Sequence, residues 1–162
     1  MVRIVPAGPE QGGKIMPAVR RAEVSWDGDL VSGSGRVTAA TSHAFDGLPV
    51  TWGSRTEEAD GRTSPEELIA AAHASCYAMA FSSDLAKAGH APEHLDVGAT
   101  VTFDRVDGRW TVVSSELRVR GRVPGIDAEG FRRLAEGARD GCPVSRALQG
   151  NVRLSVDATL AA

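Results

Sequence analysis

The chain has few cysteines and few aromatic residues. Two cysteines occur among 162 residues, and aromatic residues make up 5% of the sequence. A domain of this length buries roughly 70% of the surface of its unfolded chain, so neither a disulfide framework nor a structural metal is needed to hold the fold. We predict a single domain over residues 18–162. A flexible N-terminal extension, residues 1–17, is expected before it, because that segment is rich in Pro and Gly and lacks periodicity.

Clusters of basic residues and long apolar segments are also missing. The formal net charge is -3, and this balance disfavours a nucleic acid or an anionic membrane as the partner. No stretch has the three parts of a signal peptide, and none is apolar for long enough to span a bilayer. We therefore expect a cytoplasmic protein whose partners are small molecules or proteins. In that compartment a cysteine pair is more often reactive or metal-binding than structural.

Alternating apolar and polar residues predict most of the secondary structure. Asp107-Gly108 is a hairpin turn signal between two of the alternating segments, and shorter helices are predicted after Asp127 and from Pro143. The order of strands, helix, strands, helices and strand predicts an α+β fold with a largely antiparallel sheet. The alternating segments cover residues 19–26, 35–41, 45–52, 95–103, 110–119 and 152–160.

A long helix is predicted after a polar loop, residues 54–63. Ser64 is a favoured N-cap, Pro65 suits the first helical position, and Glu67 completes the S-x-x-E pattern of a capping box. The body of the helix is alanine-rich and apolar nearly all round, and Gly89 suits its C-terminal end. We expect a central helix that is covered on most sides.

The two cysteines lie in different helical contexts. A lone buried cysteine is usually a small hydrophobic residue, and a structural disulfide, although it could contribute about 4 kcal/mol, does not suit the expected compartment. Cys142 precedes Pro143 at a helix start, where N–H groups favour a thiolate. A reactive Cys76, in the middle of its helix, needs a nearby cation, and Arg55 and Arg62 are the candidates. From these residues alone, structural and reactive interpretations both stay open.

Three motifs, in this order, resemble those of a known family. They are the segment 64–76 (SPEELIAAAHASC), residues 123–127 (VPGID) and residues 141–145 (GCPVS). They are similar to the OsmC/Ohr family of thiol-dependent peroxidases, and to its OsmC branch in particular. The resemblance begins near Ala22 and extends to the last strand. It implies an OsmC-like fold and an intertwined homodimer, in which long central helices pack together and each site is built from both chains.

The resemblance also implies roles for site residues. Cys76 would be the peroxidatic cysteine, which becomes a sulfenic acid, and Cys142 the resolving cysteine, which forms a disulfide with it. An external dithiol, lipoyl-type in relatives, would reduce that disulfide. Arg55 matches the arginine that stabilises the thiolate and the leaving oxygen, with Arg62 as the alternative. Glu66 matches the acidic residue that orients this arginine, and no metal, haem or flavin is implied.

The leading interpretation is a cytoplasmic peroxidase that reduces organic hydroperoxides, with hydrogen peroxide as a less favoured substrate. An apolar pocket around Leu68, Met79 and Phe81 would account for that preference. The alternative is a non-catalytic redox sensor or binding protein that uses the same cysteine pair as a switch. A third hypothesis is a metal-binding protein, because His73 lies three residues before Cys76 in an H-x-x-C half-site. The sequence offers no second metal-binding arm.

Overall fold

The computed structural model describes residues 17–161, so the extension predicted for residues 1–17 lies outside the described residues apart from Pro17. No helix in the described range is long and apolar enough to cross a membrane. The elements are β1 (Glu23–Asp27), β2 (Ser34–Thr38), β3 (Leu48–Thr51), α1 (Trp52–Thr56), α2 (Pro65–Lys87), β4 (His94–Val106), β5 (Arg109–Arg122), α3 (Ala128–Gly141), α4 (Pro143–Leu148) and β6 (Arg153–Leu160).

The first three strands form a small antiparallel sheet in the order β1-β2-β3. These strands confirm the predicted extended segments, although each is shorter than the alternation suggested. Every residue of β1 is exposed in the protomer. Large apolar side chains on this sheet, among them Val24 and Trp26, therefore face solvent.

The second sheet has the order β4-β5-β6. Strands β4 and β5 form a long antiparallel hairpin, and its turn at Asp107-Gly108 has positive φ angles at both residues, as the turn signal predicted. Strand β6 pairs with β5 in parallel. Between these two strands, α3 and α4 return the chain to the other end of the sheet, which a parallel neighbour requires.

The hydrophobic core lies between this second sheet and helices α2 and α3. Tyr77 and Phe81 from α2 and Phe131 from α3 are completely buried, and the rings of Phe81 and Phe131 meet edge to face at 5.0 Å. Burial stabilises the fold by about 1.5–3 kcal/mol for each such Phe side chain. The Tyr77 hydroxyl donates to the Ala135 carbonyl at 2.9 Å. This packing fixes α2 against the sheet and against α3.

Helix α2 begins and ends as predicted, but it differs in two respects. Ser64 caps it by accepting from the Glu67 N–H, whereas the Glu67 carboxylate accepts instead from the Thr63 hydroxyl at 2.7 Å. The expectation that α2 is covered on most sides is wrong for a single protomer. Its buried side chains lie along one face, and Met79 on another face is 71% exposed.

The prediction of a polar loop over residues 54–63 is wrong for residues 54–56, which belong to the helix α1. Thr51 and Ser54 form a reciprocal capping box that begins the short helix α1. The Ser54 hydroxyl also donates to the Thr63 carbonyl at 3.0 Å, which ties α1 to the start of α2. Arg55 therefore projects from a fixed turn of helix.

Candidate active site

Arg55 and Glu66 form a close ion pair between α1 and α2. The Arg55 Nε lies 2.9 and 3.1 Å from the two carboxylate oxygens of Glu66, and its Nη2 lies 2.7 Å from Oε1. Glu66 is only 7% exposed and stands in the first turn of α2, where the helix dipole favours a carboxylate. Multiple charge-assisted contacts of this kind fix both the position and the orientation of the guanidinium.

An aromatic cluster holds the same guanidinium from another side. Its central carbon lies 4.0 Å from the centre of the Phe103 ring and 5.8 Å from that of Trp52. Phe103 in turn stacks on Trp110 at 5.0 Å. Cation–π contact adds to the orientation of Arg55, while 29% of its side chain stays exposed. Sequence reasoning missed Phe103, because alternation along β4 does not reveal which side chain meets a cation from α1.

Arg62, the alternative arginine, lies elsewhere. It pairs with Asp60 at 2.9 Å, and both side chains are well exposed. An exposed pair of this kind contributes little to stability. Of the two candidates, Arg55 is the one in contact with Glu66.

An apolar cavity of about 330 Å³ opens beside Arg55. Leu68 lines it, as expected. Phe81 was expected there too, but it is fully buried in the core, and Met79 lines a separate surface depression. The walls of the cavity come mostly from the first sheet and the start of α2, and they comprise Val24, Trp26, Leu30, Val37, Val50, Thr51, Trp52, Pro65 and Leu68.

Cys76 and Cys142 come together in the fold as free thiols. Cys142 is fully buried at the junction of α3 and α4, and the partly buried Cys76 packs against the same core cluster. Burial raises the pKa of Cys76, and its hydrogen bond to Cys142 raises that pKa further. Burial also acts to raise the pKa of Cys142, but hydrogen bonds from Ser145, Cys76 and Val144 outweigh it, so the pKa of Cys142 is lowered. Within one protomer the negative charge is therefore favoured on Cys142.

The Arg55–Glu66 pair and the Cys76–Cys142 pair lie at different positions along the axis of α2. Cys76 follows Glu66 by ten residues, which corresponds to about 15 Å along a helix. Because Arg55 is held on Glu66, its guanidinium lies near the start of α2, whereas Cys76 lies near the middle. One protomer therefore brings Arg55 to Glu66 and Cys76 to Cys142, but it does not bring the arginine to the sulfur.

His73 is completely buried and contacts two serine hydroxyls. Its Nδ1 lies 2.7 Å from the Ser115 Oγ, and its Nε2 lies 2.8 Å from the Ser145 Oγ. Burial lowers the pKa of His73. Both ring nitrogens are thus occupied by hydroxyl groups, which argues against the H-x-x-C metal half-site. Within residues 17–161, no three His, Cys, Asp or Glu side chains are grouped so that they could hold a metal ion.

The chain is similar in sequence to proteins of one family. Residues 58–157 match the family model described as "OsmC-like protein". The chain is 38% identical over 135 residues to "Peroxiredoxin OsmC" of Escherichia coli (strain K12), an alignment that covers 83% of this chain and 93% of that relative. It is 33% identical over 95 residues to "Organic hydroperoxide resistance protein" of Xanthomonas axonopodis pv. citri (strain 306), covering 58% and 65% of the two chains.

Solved structures share the fold. The organic hydroperoxide resistance protein OhrB of Bacillus subtilis superposes with a TM-score of 0.69 at 22% identity, covering 86% of this chain and 98% of that one. The organic hydroperoxide resistance protein OsmC of Legionella pneumophila superposes with a TM-score of 0.65 at 19% identity, covering 88% of this chain and 99% of that one. The family match spans more than half of the chain and includes both cysteines and Glu66, so this α+β protein belongs to the OsmC-like family.

Proposed function

We propose that this protein is a cysteine-based peroxidase that reduces organic hydroperoxides and is regenerated by a dithiol. The observation that carries the proposal is the proximity of Cys76 and Cys142, two free thiols that α2 and the α3–α4 junction bring to the same core cluster. The relatives named peroxiredoxin OsmC and organic hydroperoxide resistance protein support the same chemistry. A cycle through a disulfide needs two thiols that lie near each other in this way.

The proposed cycle has three steps. The Cys76 thiolate attacks one oxygen of the hydroperoxide, so that an S–O bond forms, the O–O bond breaks, and the alkoxide leaves and is protonated to the alcohol. The Cys142 thiolate then attacks the sulfur of the sulfenic acid, forming the S–S bond and releasing hydroxide, which is protonated to water. Two thiol–disulfide exchanges with an external dithiol restore both thiols and leave the dithiol oxidised. The lipoyl-type dithiol stays a prediction from the family resemblance, and the cytoplasmic location stays a prediction from the sequence.

The nucleophile needs a cation, and Arg55, the proposed one, does not reach Cys76 within its own protomer. The thiolate charge is favoured on Cys142 in the isolated chain, and Arg55 is held on Glu66 at the start of α2. We propose that a homodimer completes each site, with Arg55 and Glu66 of one protomer facing Cys76 of the other. The guanidinium would draw the charge onto Cys76 and neutralise the departing oxygen.

Uncovered apolar surface supports the dimer. Val24 on β1, Met79 on α2 and Leu30 after β1 are all exposed in the protomer, and burying such side chains in an interface is favourable. The alanine-rich body of α2 is suited to close packing against a second helix. The proposed interface therefore covers the faces that the single chain leaves open.

The apolar cavity beside Arg55 supports the choice of substrate. Its walls suit an alkyl or aryl group, and Arg55 is the charged side chain that lines it. A hydroperoxide bound with its organic group on the walls would place its oxygens near the guanidinium. Hydrogen peroxide has no group that gains from such walls.

Turnover of cumene hydroperoxide with dihydrolipoamide tests the proposal. The wild-type protein should sustain turnover, and Cys76→Ser should abolish it. Cys142→Ser should consume about one peroxide per site and then stop as the sulfenic acid, which a dimedone-type reagent traps. Full activity in Cys76→Ser would contradict the mechanism.

A redox sensor is the second candidate function, and the complete burial of Cys142 favours it, because burial restricts access of a reductant to the disulfide. A sensor would be oxidised by stoichiometric peroxide but would show no sustained turnover with dihydrolipoamide, thioredoxin or dithiothreitol. The same assay therefore separates the two functions.

A further inference from the structure

A series of polar contacts leads from β5 to the first turn of α4, beside the buried Cys142. Ser115 on β5 contacts the Nδ1 of His73 at 2.7 Å, and the Nε2 of His73 contacts the Ser145 hydroxyl on α4 at 2.8 Å. Ser145 lies three residues after Cys142, in the first turn of α4, and hydrogen bonding from Ser145 acts to lower the pKa of Cys142. His73, Ser115, Ser145 and Cys142 are all at most 2% exposed, so no solvent competes for these contacts.

When Ser145 donates to a Cys142 thiolate, the donor and acceptor of every hydrogen bond in this series are fixed. A hydroxyl group has one hydrogen, so if Ser145 donates it to the sulfur, its oxygen must accept a hydrogen from His73. His73 then carries its proton on Nε2, and its Nδ1 accepts from the Ser115 hydroxyl. Each donor in the series has one acceptor, and the charge on the sulfur fixes the tautomer of the ring.

We propose that His73, acting through Ser145, is a positioning residue that aims a hydroxyl donor at Cys142 and holds this sulfur as the thiolate that closes the disulfide with Cys76. The proposal rests on the proposed peroxidase cycle, in which Cys142 attacks the Cys76 sulfenic acid. His73 touches no reacting atom in that step. Its role is to keep the Ser145 hydrogen directed at the sulfur.

His73 is better suited to act as a neutral hydrogen-bonding group than as a general base that takes the proton of Cys142. If His73 took the proton of Cys142, an imidazolium would form at a fully buried position, and burial disfavours it, as the lowered pKa of His73 shows. Because the ring stays neutral, it acts as a relay of hydrogen bonds. Among the residues that the structure describes, Cys76 on α2 is the titratable group that shifts the pKa of Cys142. Tyr77 on α2 stays neutral because burial raises its pKa.

The titration of Cys142 in a Cys76→Ser background tests the proposal without peroxide turnover. The ultraviolet absorbance of the thiolate is measured as a function of pH, and the absorbance of the double variant Cys76→Ser/Cys142→Ser at the same pH is subtracted. The difference reports the pKa of Cys142. His73→Met and Ser145→Ala should each raise the midpoint by about one to two pH units, since a hydrogen bond to a charged group is lost. His73→Gln, which keeps an N–H donor towards Ser145, should restore most of the lowered pKa.

Tyr77→Phe is the matched control. It removes another buried hydrogen bond, from the Tyr77 hydroxyl to Ala135, and leaves the series from Ser115 to Cys142 intact. An unchanged Cys142 midpoint in both His73→Met and Ser145→Ala would overturn the proposal. An equal rise in Tyr77→Phe would overturn it too, because general loosening of the core would then be the cause.

Disulfide closure supplies the second measurement. With Cys76 present, one equivalent of hydroperoxide is added in a stopped-flow instrument, and formation of the disulfide is followed at neutral pH. His73→Met and Ser145→Ala should slow closure about tenfold or more, with the sulfenic acid accumulating, whereas Tyr77→Phe should close at the wild-type rate. Because the titration needs no peroxide, failure of the peroxidase proposal and failure of this one give different results.

Discussion

Glu66 holds Arg55 by three contacts of 2.7–3.1 Å while remaining buried in the first turn of α2. The cation owes its orientation to this carboxylate and to Phe103, and α1 supplies only its attachment point. A guanidinium released from Glu66 would keep its charge but lose its direction. The pair therefore acts as one unit in the proposed site.

Glu66→Gln should lower kcat/KM for cumene hydroperoxide by about 10- to 100-fold, because a misdirected group loses most of its effect on the transition state. The side chain keeps its size, so the fold should be retained. Glu67→Gln is the control, since the neighbouring Glu67 carboxylate bonds only the Thr63 hydroxyl among the contacts described. Steady-state kinetics check the prediction, and equal activity of the two variants would contradict a role for Glu66.

Mixed dimers should reveal that the site uses two chains. If Arg55 of one protomer serves Cys76 of the other, a heterodimer of Cys76→Ser with Arg55→Met retains one intact site and about half of the wild-type activity. A heterodimer of wild type with the double variant Cys76→Ser/Arg55→Met retains none. Differently tagged chains, co-expressed and purified in two steps, allow this comparison. The opposite pattern would show that both residues act within one chain.

The start of α2 could be predicted from the sequence because its signals are local. Ser64 and Pro65 lie next to the helix they begin, and they fix it whatever the rest of the fold does. The helix α1 escaped prediction because Thr51 pairs with Ser54 rather than with Glu or Gln at that spacing. That omission made Arg55 look like one of two equivalent loop charges.

Contacts between distant segments were beyond the reach of sequence reasoning. His73 looked like a possible metal ligand because its real partners, Ser115 and Ser145, come from β5 and α4. Alternation predicted β6 as a strand but could not show that it runs parallel to β5. The approach of Cys76 to Cys142 followed only from the family resemblance, since spacing alone cannot bring two helices together.

Gly121 should be intolerant of a side chain, whereas Gly137 should accept one. A Cβ on Gly121 would lie 2.6 Å from a ring atom of the buried Phe131, but a Cβ on Gly137 in α3 would meet nothing within 4 Å. Gly121→Ala should lower the free energy of unfolding by about 1–3 kcal/mol. Gly137→Ala should raise it by about 0.5–1 kcal/mol, because alanine suits a helix better than glycine. Urea unfolding at a fixed protein concentration measures both, and shifts of the same sign would contradict the packing described.

The burial of His73 should make the fold sensitive to acid in a predictable window. The unfolded chain protonates this ring at a pKa of about 6.5, whereas burial lowers the pKa of His73 in the folded state. Below pH 6.5 the unfolded state therefore binds more protons, so stability falls as the pH falls, with a slope of at most about 1.4 kcal/mol per pH unit.

His73→Gln should lack the pH dependence of stability that the buried His73 ring contributes. Between about pH 7.5 and 5 the free energy of unfolding of the wild type should fall more steeply than that of the variant, because only the wild type has the His73 ring that the unfolded state protonates. The carboxylates are common to both proteins, so their contributions cancel in the difference. Urea unfolding at several pH values measures the two slopes. If His73 were instead held as an imidazolium, its folded pKa would be raised, and the wild type would gain stability relative to the variant as the pH falls. The sign of the difference therefore decides whether the ring at the centre of the Ser115–Ser145 series is neutral.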